Sequence, residues 1–291
     1  MAKHATEAAP PHENTDEAAA RGGGEERESG KHQTVAEVYD PLAEAGQDHL
    51  QRSNIDLALS GLIAGLDIGF GPLAMAVVAG RLHAAFHLSV AQALFFGGFL
   101  YPLGFIVVIM GKSELFTENT LAPVAGLFTH SGSIRSLARS WSLIIVFNVL
   151  GTIAFSLLIA HIDVAFASYK EIYRAMGANL TGRPFLQGVA SAVLAGWLVA
   201  MIAWLIESTK GSLVHFAVIY VIAYVLVAVQ LMHSIIGSIE VLLAMFAGAN
   251  ITWGTWFTGF LAPALIGNAI GGVVFVTGLK GFQARAGNAN S

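Results

Sequence analysis

Cysteine is absent from the chain of 291 residues. That excludes disulfides, thiolate metal sites and cysteine nucleophiles. Charge is scarce too. Asp, Glu, Lys and Arg make up 12% of the residues, where a soluble globular domain carries roughly 25%. The alternating segments of about ten residues that mark a transmembrane β-barrel are missing. The N-terminus lacks a basic stretch followed by an apolar one, so it does not read as a secretory signal. No clustered basic stretch points to a nucleic-acid partner, and no ligand pattern points to a metal or cofactor.

What is there is apolar. Hydrophobic residues make up 55% and the mean hydropathy is +0.65. One helical crossing of a bilayer takes about 20 mostly apolar residues, and lipid leaves helices as the natural solution for the backbone. The pattern predicts an all-α membrane protein with six transmembrane helices near 56–80, 90–128, 138–162, 185–207, 213–250 and 254–280. Many of the 32 glycines lie inside these segments, where small residues let helix backbones approach. Residues 1–50 read as a disordered acidic N-terminal tail with a short helix near Val35–Ala45. Residues 51–282 read as the pore domain, and 283–291 as a short C-terminal tail.

The second and fifth segments are too long for clean crossings, and each carries a polar patch at its centre. The first patch is Gly111-Lys112-Ser113-Glu114-Leu115-Phe116-Thr117-Glu118-Asn119. The second is Gln230-Leu231-Met232-His233-Ser234, followed by Gly237, Ser238 and Glu240. Polar groups at membrane depth normally face a cavity or another part of the protein, so both helices are expected to be broken.

The halves also resemble each other. Leu59-Ser60-Gly61-Leu62 parallels Leu186-Gln187-Gly188-Val189 at an offset of 127, and Asn148-Val149-Leu150-Gly151 parallels Asn268-Ala269-Ile270-Gly271 at 120. Three crossings per half is odd, so the second copy is expected to be inverted. Interrupted helices at matching places in inverted halves point to a binding site at the midplane.

His233 is the most informative residue, since imidazole is the side chain best able to exchange a proton near neutral pH. It reads as a proton donor or switchable charge for an anion; the bland alternative is a neutral histidine bonded between packed helices. Thr117 is its counterpart in the first half. Glu114 reads as bracing the break through backbone N–H groups. Asn148 and Asn268 each tie a broken segment to its neighbour or serve ordinary packing. Lys112 either draws anions to a vestibule or snorkels. Asp67 is an intramembrane acid with no obvious partner. Lys and Arg counts place both termini on the cytoplasmic side.

These residues resemble the formate/nitrite transporter family. The matching stretches are Gly111 through Glu114-Leu115-Phe116-Thr117, the pair His233-Ser234, Phe147-Asn148-Val149-Leu150-Gly151, and Ile266-Gly267-Asn268-Ala269-Ile270-Gly271-Gly272. The resemblance covers about residues 50–282. It implies an aquaporin-like protomer in a homopentamer, one pore each, in a bacterial inner membrane. The implied activity is passage of formate, nitrite, hydrosulfide or a similar anion rather than catalysis. Carried over by position, Thr117 and His233 meet at the pore centre with Asn268 beside them. Tyr101, Phe105 and Leu226 take the constriction, and Glu114, Leu115, Phe116, Ser234 and Asn148 support the breaks.

Some positions depart from the family pattern. Leu231-Met232 stands where Phe-Glu is usual, Gln230 where a small residue is usual, and Leu226 where an aromatic is usual. In the fourth segment Gln187 replaces a basic residue and Ser191-Ala192 replaces a Cys-Asn pair. These point to a divergent branch with a wider or differently charged pore. The other reading is an aquaporin-like channel for small neutral solutes. That family carries an Asn-Pro-Ala triplet at each half-helix, and the nearest match here, Ala262-Pro263-Ala264, lacks the amide.

Overall fold

The computed structural model describes residues 33–129 and 132–288. From Val35 onward they form one unit. All regular structure among them is helical. Helix α1 is Val35–Gln51, α2 Asn54–Asp67, α3 Phe70–Phe86, α4 Val90–Gly97, α5 Pro102–Met110 and α6 Ala122–Thr129. Helix α7 is Ile134–Ala160, α8 Lys170–Leu180, α9 Phe185–Glu207, α10 Ser212–Ala228 and α11 Ser234–Phe246. Helix α12, Thr255–Gly287, is α-helical over Ala262–Ile270 and π-helical over Thr255–Leu261 and Gly271–Gly278.

Among the described residues, five runs are long and apolar enough to cross a membrane: Asn54–Phe86, Val90–Met110, Ile134–Ala160, Phe185–Glu207 and Thr255–Gly287. The segments expected at 90–128 and 213–250 are both broken, the first between α5 and α6, the second between α10 and α11. The first expected span is interrupted as well, by a turn at Ile68–Gly69, and runs on to Phe86. Large apolar side chains such as Ile55, Leu186, Leu213 and Phe282 stay exposed on the outside, as lipid-facing surfaces require.

The short helix expected near Val35–Ala45 runs longer, over Val35–Gln51. Helix α1 is ordered and packed, burying Val38, Tyr39, Leu42, Ala43, Gly46, His49 and Leu50. That spacing is a helical stripe, obscured in sequence because alanine, glycine and histidine fill part of it. Gly46 faces the carbonyl of Ala122, and Gly126 faces the backbone around Gln47, so α1 and α6 touch where neither has a side chain. At the other end α12 continues past 282 and buries Ala284 against α1. Residues 1–32 and 289–291 lie outside the described residues.

Helix α8 was not expected. It lies in the connection between the third and fourth segments and buries Ile172, Tyr173, Met176, Gly177 and Leu180, another helical stripe. Gly177 sets it against Ala244 of α11.

Candidate functional site

Both helix breaks end in the same motif. At the first, the N–H of Lys112 bonds Ile109 O and that of Ser113 bonds Val108 O; at the second, Gln230 bonds Val227 O and Leu231 bonds Leu226 O. These are paired Schellman caps, whose pivot residue is left-handed. Glycine usually takes that place; here Lys112 sits at φ 62° and Gln230 at φ 54°.

The strands of chain leaving the two caps are held by matching bonds. Glu114 N donates to Ser60 Oγ at 3.1 Å, and Met232 N donates to Ser191 Oγ at 3.1 Å. Asn148 donates to the carbonyls of Gly61 (2.8 Å) and Glu114 (2.9 Å) and accepts from Phe116 N at 2.9 Å. Asn268 donates to those of Ala192 (2.8 Å) and Met232 (3.1 Å) and accepts from Ser234 N at 2.9 Å. A break in a helix frees backbone groups that lipid cannot satisfy; one amide side chain satisfies two of them at each site and adds a bond to a carbonyl of the neighbouring helix.

Asn268 thus ties the broken segment to its neighbour, with its Oδ1 on the N–H next to His233. One expectation is corrected. The first and fourth segments align through Ser60 and Ser191, four residues from the pairing read in sequence. Ser191 therefore does in the second half what Ser60 does in the first.

The breaks bring Thr117 and His233 together, 116 residues apart in sequence, with Thr117 Oγ1 2.8 Å from His233 Nε2. Both side chains are buried, and among the described residues His233 Nδ1 has no hydrogen-bond partner. The Thr117 hydroxyl serves as donor or acceptor according to the imidazole tautomer. Phe105 stands edge-on to the His233 ring, centroids 5.2 Å apart. His233 also begins α11, whose first N–H groups put partial positive charge there. Leu115 and Phe116 fill the core beside the first break, Phe116 edge-on to Trp141. Trp141 in turn donates to Asn119 O at 3.1 Å.

Two cavities flank this pair. One, of about 320 Å³, is lined by Tyr101, Leu226, Gln230, Leu231, Asn179 and Glu240 among others. The other, of about 590 Å³, is lined by His49, Arg52, Ile109, Lys112, Glu114 and Glu118 among others. Helix α5 links them: Tyr101 just before it lines the first, Ile109 near its end lines the second, and Phe105 midway meets His233. At 1.5 Å rise per residue the cavities are about 12 Å apart along it.

The second cavity is not simply basic. Arg52 and Lys112 share its lining with Asp48, Glu114, Glu118 and Glu207. Glu114 accepts from Arg52 and from Asn119 Nδ2 (2.6 Å), with His49 Nδ1 3.6 Å away. So it braces the break through side chains, not through the backbone N–H groups expected of it. Its bond to Asp56, with Glu114 adding to it, holds the Arg52 guanidinium above its usual pKa against the opposing effect of burial.

Sequence reasoning missed several residues here. Arg183 closes the second cap, donating to Gln230 O at 2.9 Å, Asn179 O at 3.0 Å and Ser191 Oγ at 3.1 Å. His49 sits on α1, inside the stretch read as tail, and bonds Ser140 Oγ at 2.8 Å. Glu240, read in sequence only as part of the second polar patch, accepts from Tyr101 Oη at 2.8 Å. Asp67 ends α2, partly exposed, outside both cavity linings, and Gln187 is exposed.

The sequence pattern of the formate/nitrite transporter family matches residues 36–282. The chain belongs to that family. It is 25% identical over 259 residues to the inner membrane protein YfdC of Escherichia coli (strain K12), covering 85% of this chain and 81% of that one. It is 28% identical over 242 residues to the uncharacterized transporter YrhG of Bacillus subtilis (strain 168), covering 82% and 89%. Its fold is similar to that of a pentameric formate channel with formate bound, at TM-score 0.66 and 20% identity, over 80% of this chain and 98% of that one. The match starts at residue 36, so the family pattern takes in helix α1.

Proposed function

We propose that this transporter-family chain forms a pore for a small monovalent weak-acid anion such as formate, nitrite or hydrosulfide, with Thr117 and His233 at its neck. The observation that carries the reading is the unpartnered Nδ1 of His233, buried between two cavities while Nε2 is engaged by Thr117. A buried polar atom left unpaired by the fold is costly, and a hydrogen-bonding substrate at that point would satisfy it.

The mechanism follows from charge. Moving a bare ion into low dielectric costs on the order of 20 kcal/mol in the idealised limit. A weak-acid anion that takes a hydrogen bond or proton from His233 meets much less of that barrier. The near-neutral acid then passes Phe105, Tyr101 and Leu226, all buried and largely apolar. Thr117 holds the imidazole in one orientation throughout.

The matching caps and asparagine brackets support an aquaporin-like arrangement of two inverted three-helix repeats, with the first and fourth segments in equivalent places. The pentameric fold relative and the apolar exterior support a homopentamer with one pore per protomer. The basic residues Arg52, Arg135, Arg139, Lys210, Lys280 and Arg285 support cytoplasmic termini in a bacterial inner membrane.

The test is uptake into proteoliposomes of formate, nitrite, hydrosulfide and acetate, with glycerol as control, between about pH 5 and pH 8, where imidazole changes charge. Weak-acid flux that rises as pH falls is the expected result. Glycerol flux without any weak-acid flux would move the chain to the neutral-solute reading.

A further inference from the structure

The cavity that ends at Tyr101 holds one carboxyl group, Glu240, and no cation in its lining. This is a poor vestibule for an anion while that carboxyl is ionised. Glu240 stands seven residues, two turns, after His233 on α11, so the two share a face. Tyr101 stands one turn before Phe105 by the same geometry. The result is two rungs between α5 and α11: Phe105 against His233 at 5.2 Å, and Tyr101 donating to Glu240 at 2.8 Å. The second rung lies on the cavity wall.

We infer that Glu240 is the residue that sets the charge selectivity of this end of the pore. With its carboxyl un-ionised, the cavity admits the weak acid and its anion alike. Ionised, it repels the anion before the anion can reach His233. No covalent step is involved; Glu240 gains or loses a proton to water in the cavity, and Tyr101 holds its orientation in both states.

Arg183 stands behind the wall, bonded to the carbonyls of the lining residues Asn179 and Gln230; in the lining itself Glu240 is the group that carries charge. Only Tyr101 and Tyr224 among the other lining residues titrate. Helix α8 offers Met176 and Asn179 to the cavity, while its Lys170, Glu171 and Arg174 lie outside the lining, as do Arg81 and His83 of α3. On α7 the cations Arg135 and Arg139 sit at the start of the helix, and Arg139 is bonded to Leu50 O, Arg52 O and Asn54 Oδ1. The parts of α12 that pack on α11, Thr255–Leu261 and Ala262–Ile270, carry no charged residue, and Trp256 donates to Ser238 Oγ.

The inference rests on the weak-acid pore proposed above, and the experiment separates the two. Formate uptake by the full chain in proteoliposomes is measured across about pH 4 to pH 8, a range that starts near the ordinary glutamate value, for the native protein, Glu240→Gln and Tyr101→Phe. Dividing each variant by the native protein cancels the titration of formate and of His233. The Gln variant keeps an acceptor for Tyr101. Its flux is expected to match the native protein at the acid end and to exceed it about tenfold at the alkaline end, the scale set by one unit charge nearby. Tyr101→Phe removes a donor that favours the ionised carboxylate. Its alkaline loss of flux is therefore expected to shift to higher pH, which keeps the inference testable if Glu240→Gln fails to fold. A ratio independent of pH for Glu240→Gln, or an unshifted profile for Tyr101→Phe, would make the pair a structural bond only. If the native protein carries no weak acid at any pH, the pore reading itself fails and this inference falls with it.

Discussion

Asn148 and Asn268 make the same three hydrogen bonds at two places in the chain. Each donates twice to backbone carbonyls, one on a neighbouring helix and one on the broken segment, and accepts one N–H from two residues further along that segment. Replacing either with alanine strands two buried backbone groups of the broken segment and removes a second bond from a helical carbonyl. The expected loss is about 3 kcal/mol, since each unsatisfied group costs 1–3 and local relaxation recovers part. Thermal unfolding of the detergent-solubilised protein measures it. Asn268→Asp keeps the acceptor and loses both donors, so it is expected to be at least as harmful as Asn268→Ala; a stable Asp variant would overturn this account of the bracket.

Thr117 and His233 give a sharper functional prediction. Thr117→Ser keeps the hydroxyl and is expected to leave flux within about twofold, whereas Thr117→Val keeps the shape but removes the bond to Nε2. One lost hydrogen bond to a group that must stay oriented is worth about tenfold in rate. Equal flux from the Ser and Val variants would show that the 2.8 Å contact has no part in transport. His233→Ala removes the donor altogether and is expected to change both the rate and its pH dependence.

How much of this was legible in the sequence follows from what kind of signal each feature leaves. The breaks at Lys112 and Gln230 were visible because polar residues inside apolar runs have no bland explanation. The pairing of Thr117 with His233 followed from the resemblance and is matched by the geometry. The bond-for-bond match of the halves was blurred, because Ser60 and Ser191 sit in unlike neighbourhoods and the motif Leu-x-Gly in both segments drew the alignment one turn away. Helix α8, and the packing of α1, were hidden for a different reason. Their buried stripes include alanine, glycine and tyrosine, and their outer faces are polar, so neither reads as a membrane segment. Arg183 could not have been found, since two of its three partners are main-chain carbonyls, which leave no trace in sequence.

The close helix crossings make a prediction about volume. The α-hydrogen side of Gly65 rests on the backbone of Asn148, and that of Gly196 on the backbone of Asn268. A methyl group at either place would overlap main-chain atoms, which yield far less readily than a side-chain tip. Gly65→Ala and Gly196→Ala are expected to push α2 from α7 and α9 from α12, and with them to shift both asparagine brackets. Overpacking of this kind costs roughly 1–3 kcal/mol. Gly211→Ala serves as the comparison, because a Cβ there meets nothing within 4 Å and only its φ of 99° is strained. If the Gly211 change proves the most damaging of the three, crossing distance is not what these glycines protect.

The left-handed pivots offer the reverse test, a gain in stability. Gln230 and Lys112 hold φ values of 54° and 62°, a region where a non-glycine residue loses roughly 1–2 kcal/mol. Gln230→Gly removes that penalty and keeps the backbone carbonyl that Arg183 grips, since the bond runs to the main chain and not to the amide side chain. The expected gain is about 1 kcal/mol, read as a rise in the unfolding midpoint, with Gln230→Val falling below the native protein because a β-branched side chain tolerates that φ least. Lys112→Gly should gain similarly if its ammonium makes no fixed contact, but it also removes one of two cations from a cavity that carries four carboxyls. Stability and flux therefore separate at the two pivots. Gln230→Gly is expected to be more stable with a slightly wider cavity, and Lys112→Gly more stable with slower anion uptake. A Lys112→Gly protein with unchanged uptake would show that this lysine draws no anion toward the neck, leaving the partial charge at the start of α11 as the attraction that remains.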